Sequence, residues 1–216
     1  MKDEDVAIIF WSSGTTGIPK GIQHTVKYFR AMLHYLKSSK NRVKTKCTNL
    51  TTTCYFHVGG FFSPLGITND PTSYVLNHGP DIEALGNTEL LYKEINEFKP
   101  LVIICGSHHL VHLSQIDPID ESLDLSSVYV AMPMGSTVTK TLYDDLRKNF
   151  KSLKMIRNLY SMTELGGSIT KSMDVNCLGT VSEGAIVKFV DPESGKLCGP
   201  NEVCNENQIF ICLKKY

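Results

Sequence analysis

The residues with the clearest chemical potential lie together near the start of the chain, at Ser12-Ser13-Gly14-Thr15-Thr16-Gly17-Ile18-Pro19-Lys20-Gly21. Glycine lets backbone N–H groups approach an anion with no side chain in the way. The hydroxyls of Ser12, Ser13, Thr15 and Thr16 add donors for phosphate oxygens, and Lys20 brings a compact positive charge. Such a segment suits a phosphate cradle. It is not the Walker A loop, G-x-x-x-x-G-K-[ST], because Pro19 precedes Lys20 and Gly21 follows it. The alternative is a plain Gly/Thr-rich surface loop. Context separates the two: the apolar run Val6–Trp11 predicts a strand buried on both faces, and the periodicity that follows predicts a helix. Strand, turn and helix in that order is the setting that anion binding uses.

Other residues could complete such a site. Glu164, with Thr163 beside it, falls just past the predicted strand Met155–Tyr160, where a parallel sheet presents ligand-binding groups. A carboxylate there can hold Mg²⁺ against nucleotide phosphates; the alternative is a Thr-Glu pair that opens a helix. Gly135 and Ser136 follow the predicted strand Val128–Met132. His57 lies between aromatic residues and glycines, and reads either as a satisfied core histidine or as a site residue. Cys105, His108, His109 and His112 offer C-x-x-H and H-x-x-x-H spacings. The zinc motif H-E-x-x-H is absent, because His109 stands where glutamate is needed, and this argues against zinc.

The elements that must position these groups alternate along the chain. A helix is predicted over Val26–Lys40, with Phe29, Met32, Leu33 and Leu36 on one face. Thr88–Phe98 reads as a helix, Leu101–Cys105 as a strand, Ser107–Ser114 as a short helix, and Val128–Met132 as a strand. Leu142, Leu146 and Phe150 mark a further helix face before the strand Met155–Tyr160. Strands alternating with helices over short connections predict an α/β fold, a mostly parallel sheet flanked by helices. After Asp174 the texture changes to short strands at Gly179–Ser182, Ala185–Val190 and Gln208–Leu213, with a turn at Asp191–Lys196. The chain therefore divides into an α/β core over 1–175 and a small β-rich subdomain over 176–216. A strand close to each end of the chain reads as a piece of something longer, since a lone strand pair has little to pack against.

Composition excludes several classes. Lys plus Arg and Asp plus Glu stand at 22 each, so no net field favours nucleic acid or an anionic membrane. No stretch approaches the ~20 apolar residues of a membrane span, and MKDEDVAIIFW carries acidic residues where a signal peptide has basic ones. The expectation is a soluble intracellular protein, cytoplasmic or peroxisomal, although the terminal Lys-Lys-Tyr is not a Ser-Lys-Leu address. Seven cysteines without a C-x-x-C pair read as reduced thiols that serve as small buried hydrophobes. Oligomeric state is not legible.

Three ordered segments resemble the signatures of the acyl-activating, adenylate-forming superfamily of acyl-CoA synthetases, coumarate–CoA ligases and beetle luciferases. SSGTTGIPKG at 12–21 resembles its signature loop. Tyr55–Phe61 resembles P-x-F-H-x-x-G with Tyr55 where proline is usual, and Tyr160–Glu164 resembles Y-G-x-T-E with Ser161 where glycine is usual. GTVSEGAIVKFVDPESGKLCGPNE resembles the G-x-V-G-x-P…V-D-x-x-T-G region, so the likeness runs from residue 6 to 213. The resemblance implies a fragment of the large N-terminal domain, with ATP, Mg²⁺ and coenzyme A as cofactors. The reaction implied is activation of a small carboxylic acid as an acyl-adenylate, then thioester formation; Phe61 and Phe62 hint at an apolar or fatty acid. It assigns phosphate binding to Ser12, Ser13, Gly14, Thr15, Thr16, Gly17, Lys20 and Thr163, and the metal to Glu164. Tyr160 would stack on adenine with Ser161 beside it, Gly135 and Ser136 would flank the adenylate, and His57 would gate the acyl and thiol pocket. The family's T-G-D aspartate and its C-terminal lysine find no match in this sequence. A truncated chain without turnover is therefore expected, and a non-catalytic nucleotide-binding remnant is the alternative.

Overall fold

The computed structural model describes residues 1–12, 18–38, 48–67, 74–77, 88–115, 123–136, 138–175, 177–182, 185–191, 193–199 and 208–213. Strands β1 (Val6–Ser12) and β2 (Lys20–Thr25) form an antiparallel pair, and α1 (Val26–Ser38) follows directly. Next come β3 (Thr48–Thr51), α2 (Val58–Ile67), β4 (Tyr74–Asn77), α3 (Thr88–Phe98), β5 (Val102–Gly106) and α4 (Ser107–Gln115). After these stand β6 (Val130–Met134), α5 (Lys140–Asn149), β7 (Met155–Ile156) and β8 (Asn158–Ser161). A 3₁₀ turn (Thr163–Leu165), β9 (Ser168–Ser172), β10 (Thr180–Val181), β11 (Ala185–Val190) and β12 (Gln208–Leu213) complete the order.

The centre is a five-stranded sheet in the order β4-β3-β5-β6-β7, with every pair parallel. β3, β5 and β6 are buried on both faces, as the one unbroken apolar run of β5 requires. Ile103 and Cys105 join Leu50, Ala131 and Ile156 on the face covered by Leu91 and Ile95 of α3, Leu110 and Leu113 of α4, and Leu146 of α5. Val102 and Ile104 turn to the other face with Val130, against Met132, Met134 and Met155. Each fully buried leucine, isoleucine or valine among them contributes about 1.5–3 kcal/mol by leaving water. Tyr92 Oη and Asn149 Nδ2 both donate to the Leu113 carbonyl, at 3.1 and 3.0 Å, and tie α3 and the end of α5 to the end of α4. Thr139 caps α5: its Oγ1 accepts from the Leu142 N–H at 3.2 Å.

Four expectations are corrected. β1 is not buried on both faces: Ile8, Phe10 and Ser12 turn inward while Ile9 and Trp11 face outward, Trp11 at 67% exposure. The Gly/Thr-rich segment does not lead from strand to helix: β1 and β2 on either side of it pair antiparallel, and β2 stands between it and α1. The strand expected over Met155–Tyr160 breaks at Arg157. Its N–H donates to the Ala131 carbonyl at 2.9 Å, beyond which β8 pairs antiparallel with β9 in a separate sheet, β10-β9-β8. Cys198 is disulfide-bonded, so the expectation of reduced thiols fails there; Cys54 and Cys105 are buried and free, and Cys177 is exposed and free. Absence of a short C-x-x-C motif says nothing about a pair that the fold brings together.

The helix expected to reach Lys40 runs to Ser38, and residues 39–40 lie outside the described residues. β9 and β10 pair across position 175, and β11 pairs antiparallel with β12. The turn after β11 is built on Asp191, whose Oδ1 accepts from the N–H groups of Glu193 and Ser194 at 3.1 and 2.7 Å. Among the described residues no helix is long and apolar enough to cross a membrane.

Candidate functional site

The hairpin register sets Ser12 directly opposite Lys20 and Trp11 opposite Gly21. The two ends of the Gly/Thr-rich segment are thus held side by side, with Lys20 exposed and Ser12 half-buried. Ser13, Gly14, Thr15, Thr16 and Gly17 lie outside the described residues.

Below this end of the hairpin the inward face of β2 carries His24, which is only 3% exposed. Phe10 meets its ring edge-on at 5.7 Å between centroids, and Tyr28 of α1 covers it at 4.8 Å. Its Nε2–H donates to the Thr163 carbonyl at 2.9 Å. Burial pulls the His24 pKa below 6.5, opposed by the Thr163 carbonyl and the Glu164 carboxylate. The ring is therefore a neutral donor that bonds the Thr163 turn to β2.

That turn follows β8. Met162 occupies its cap position without a side-chain cap bond, so Thr163 and Glu164 lie within the turn and do not cap it. The Gly166 N–H donates to the same Thr163 carbonyl at 3.2 Å, and Gly166 takes the left-handed conformation with φ 60°. Thr163 is half-buried and Glu164 exposed; on β8, Tyr160 is half-buried and Ser161 exposed. β1 and β2 pack against the turn. Thr163 and Glu164 therefore stand beside the hairpin that carries Ser12 and Lys20.

A second group forms at the carboxyl ends of β5 and β6. Gly106 pairs with Met134, and Ser107 and Ser136 follow from these strand ends. Ser136 Oγ donates to Ser107 Oγ at 2.6 Å, next to Gly135 with φ 95°. α2 approaches this edge closely, since a Cβ on Gly59 would lie 2.1 Å from Met134 Cε. His57 is exposed at the head of α2, where its Nδ1 accepts from the Gly59 N–H at 3.1 Å. It is not a core histidine. Phe61 and Phe62, which carried the hint of an apolar acid, pack with Phe10 and Phe29 in an aromatic cluster.

His108 and His109 stack at 4.0 Å, with His109 buried and its Nδ1 3.4 Å from Thr52 Oγ1. Burial pushes the Cys105 thiol up to about 12, which holds it protonated. Among the described residues no three His, Cys, Asp or Glu side chains are placed to share a metal ion. No motif in the sequence singles out His24, Tyr28 or Ser107 as part of such a site. The available signal was the alternation in Lys20–Thr25, where Ile22 and His24 turn inward between exposed Gly21 and Gln23.

The family model for AMP-binding enzymes matches residues 1–207. The chain belongs to that family. Among curated relatives, the luciferin 4-monooxygenase of Photuris pensylvanica is 27% identical over 207 residues, which is 93% of this chain and 36% of that protein. The 4-coumarate:CoA ligase 1 of Petunia hybrida is 25% identical over 94% of this chain and 39% of its own length. This AMP-binding chain thus spans just over a third of the curated relatives it matches. Among solved structures, an anthranilate CoA ligase in complex with anthranoyl-AMP superposes with a TM-score of 0.79 at 21% identity, covering 97% of this chain and 39% of that one. The luciferase-like enzyme of the nonluminescent mealworm Zophobas morio gives 0.76 at 23% identity, over 99% of this chain and 49% of that one. An O-succinylbenzoate coenzyme A synthetase of Bacillus subtilis, in complex with ATP and magnesium ion, gives 0.73 at 18% identity over 99% and 42%. These likenesses establish the α/β fold with its parallel sheet as that of adenylate-forming enzymes.

Proposed function

We propose that the hairpin end and the Thr163 turn form the phosphate and metal end of an ATP site that serves activation of a carboxylic acid. The observation that carries the reading is the His24–Thr163 bond, which ties the turn that carries Glu164 to the strand that begins at Lys20. Family membership and the names of the relatives, coenzyme A ligases among them, support the chemistry.

Lys20 and Ser12 bind phosphate oxygens, with Ser13, Gly14, Thr15, Thr16 and Gly17 completing the cradle. Glu164 is a single exposed carboxylate, and Mg²⁺ takes one or two carboxylates together with phosphate oxygens and waters, so the donor set fits that ion. When bound, Mg²⁺ supplies neutralisation of charge on the phosphates. Tyr160 with Ser161 offers the adenine a platform, and Thr163 adds a hydroxyl. A substrate carboxylate oxygen attacks the α-phosphorus, the bond to the bridging oxygen breaks, and pyrophosphate leaves with that electron pair. The thiol of coenzyme A, giving up its proton to water, then adds to the acyl carbon; the acyl C–O bond breaks and AMP departs with that electron pair, giving the thioester. Gly135 and Ser136, with Ser107, flank the adenylate, and His57 stands at the entry to the acyl and thiol pocket. The protein's part is to hold charges and donors in place before reaction.

Calorimetric titration with ATP in Mg²⁺ tests the reading. Saturable binding is expected, weakened about tenfold in Lys20→Ala, as suits loss of a charge-assisted bond at an exposed site. Equal affinities for wild type, Lys20→Ala and Glu164→Gln contradict it. Release of pyrophosphate that depends on an added carboxylic acid separates the whole reaction from nucleotide binding alone.

A further inference from the structure

His24 belongs to neither motif from which the nucleotide site is read, yet it joins them. It shares β2 with Lys20 and contacts a residue 139 positions later. A buried ring N–H needs an acceptor, and the Thr163 carbonyl supplies it. The ring has little freedom to move, because Phe10 meets its plane at 66° and Tyr28 lies over it.

The turn on the other side of the bond is equally confined. A Cβ on Gly166 would stand 3.0 Å from Tyr28 Cε1 and Oη and 3.4 Å from His24 Cε1. A Cβ on Gly167 would stand 2.7 Å from Met32 Cε. A side chain at Gly166 would crowd both Tyr28 and His24, and one at Gly167 would require Met32 to shift, so the turn lies close against α1 and the His24 ring. Glu164 follows Thr163 directly, and its charge acts on His24. Anchoring the Thr163 carbonyl therefore anchors the backbone that carries the carboxylate.

We propose that His24 is a positioning residue, whose Nε2–H on the Thr163 carbonyl sets where Glu164 stands relative to Lys20. This rests on the reading of Lys20 and Glu164 as the phosphate and metal ends of one ATP site. His24 touches neither nucleotide nor metal in this role. It acts through the turn, so its loss weakens the part of ATP affinity that depends on the ion and spares the rest.

The test compares His24→Phe, which keeps a ring but drops the donor, with His24→Gln, whose amide N–H can reach the same carbonyl. Two measurements are made on each full-length variant: hydrogen exchange over residues 162–167, and ATP affinity with Mg²⁺ and with EDTA. His24→Phe is expected to lose protection at 163–166 while β5 and β6 keep theirs. Its affinity for ATP in Mg²⁺ is expected to fall roughly threefold to tenfold, as for one lost hydrogen bond, with affinity in EDTA unchanged and His24→Gln close to wild type. Should His24→Phe fail to fold, His24→Met takes its place as the donor-free variant. Unchanged affinity in the donor-free variant overturns the proposal, as does an equal loss in both variants with and without Mg²⁺. A wild-type chain that binds no ATP rejects the nucleotide reading, and the exchange result then still decides whether His24 anchors the turn.

Discussion

Gly166 and Gly135 both have positive φ, at 60° and 95°, but only one of them is enclosed. An added Cβ at Gly166 meets Tyr28 at 3.0 Å, whereas at Gly135 nothing lies within 4 Å. Gly166→Ala is expected to lose about 2–4 kcal/mol, the sum of left-handed backbone strain and crowding. Gly135→Ala is expected to lose only the strain, about 1–2 kcal/mol. Urea unfolding of the two variants checks the order; a Gly135→Ala cost equal to that of Gly166→Ala contradicts the enclosure of the turn. Burial also gives Tyr28 a function at this scale. Its hydroxyl finds no hydrogen-bond partner among the described residues, and its pKa is driven above the usual tyrosine value, so the side chain acts as a neutral wall between His24 and Gly166.

Among the elements, α5 shows how much local chemistry the sequence displayed. Thr139 precedes a run with Leu142 and Leu146 on one face, and Thr139→Ala is expected to cost about 1 kcal/mol in thermal or urea unfolding through the lost cap. A change within a few tenths of a kcal/mol contradicts the cap. The parallel sheet was equally legible, because β5 and β6 are apolar runs with helices between them and both faces must be covered. The β1–β2 hairpin was not. Ile22 is the one large apolar residue in Lys20–Thr25, and the inward partner that completes its alternation is a histidine, which an apolar pattern passes over. The break at Arg157 was hidden for another reason: a strand's residues do not show that its neighbour changes from β6 to β9. Of the candidate site, the motif residues were visible as types. The histidine that joins them was not, since a contact across 139 residues leaves no local trace.

For the whole molecule, the proposed site draws its residues from separate sheets: the hairpin, the three-stranded sheet that leads into the Thr163 turn, and the carboxyl ends of the parallel strands. His24, bonded to the Thr163 turn, also bears on stability. Its folded pKa lies below 6.5, so the contribution is fully present above that pH. As pH falls below 6.5 toward the depressed folded value, the unfolded chain binds a proton that the folded chain excludes, and stability drops. Asp124 and Asp191 are likewise held below the usual 3.8, chiefly by hydrogen bonds from Ser126 and Ser194, so their contributions disappear only in stronger acid. Between pH 8 and 5 the wild-type urea midpoint is expected to fall more than that of His24→Gln; parallel curves contradict the assignment.

On the proposed function, nucleotide phosphates and their metal ion lie between the hairpin end and the Thr163 turn. Paramagnetic broadening by Mn²⁺–ATP in the amide spectrum of the labelled chain tests it most directly. Strongest broadening is expected at Ser12, Lys20 and Thr163–Gly166, removed by excess Mg²⁺–ATP, with the β11–β12 pair unaffected. Broadening centred on β11–β12, or spread over surface carboxylates without preference for the turn, contradicts it.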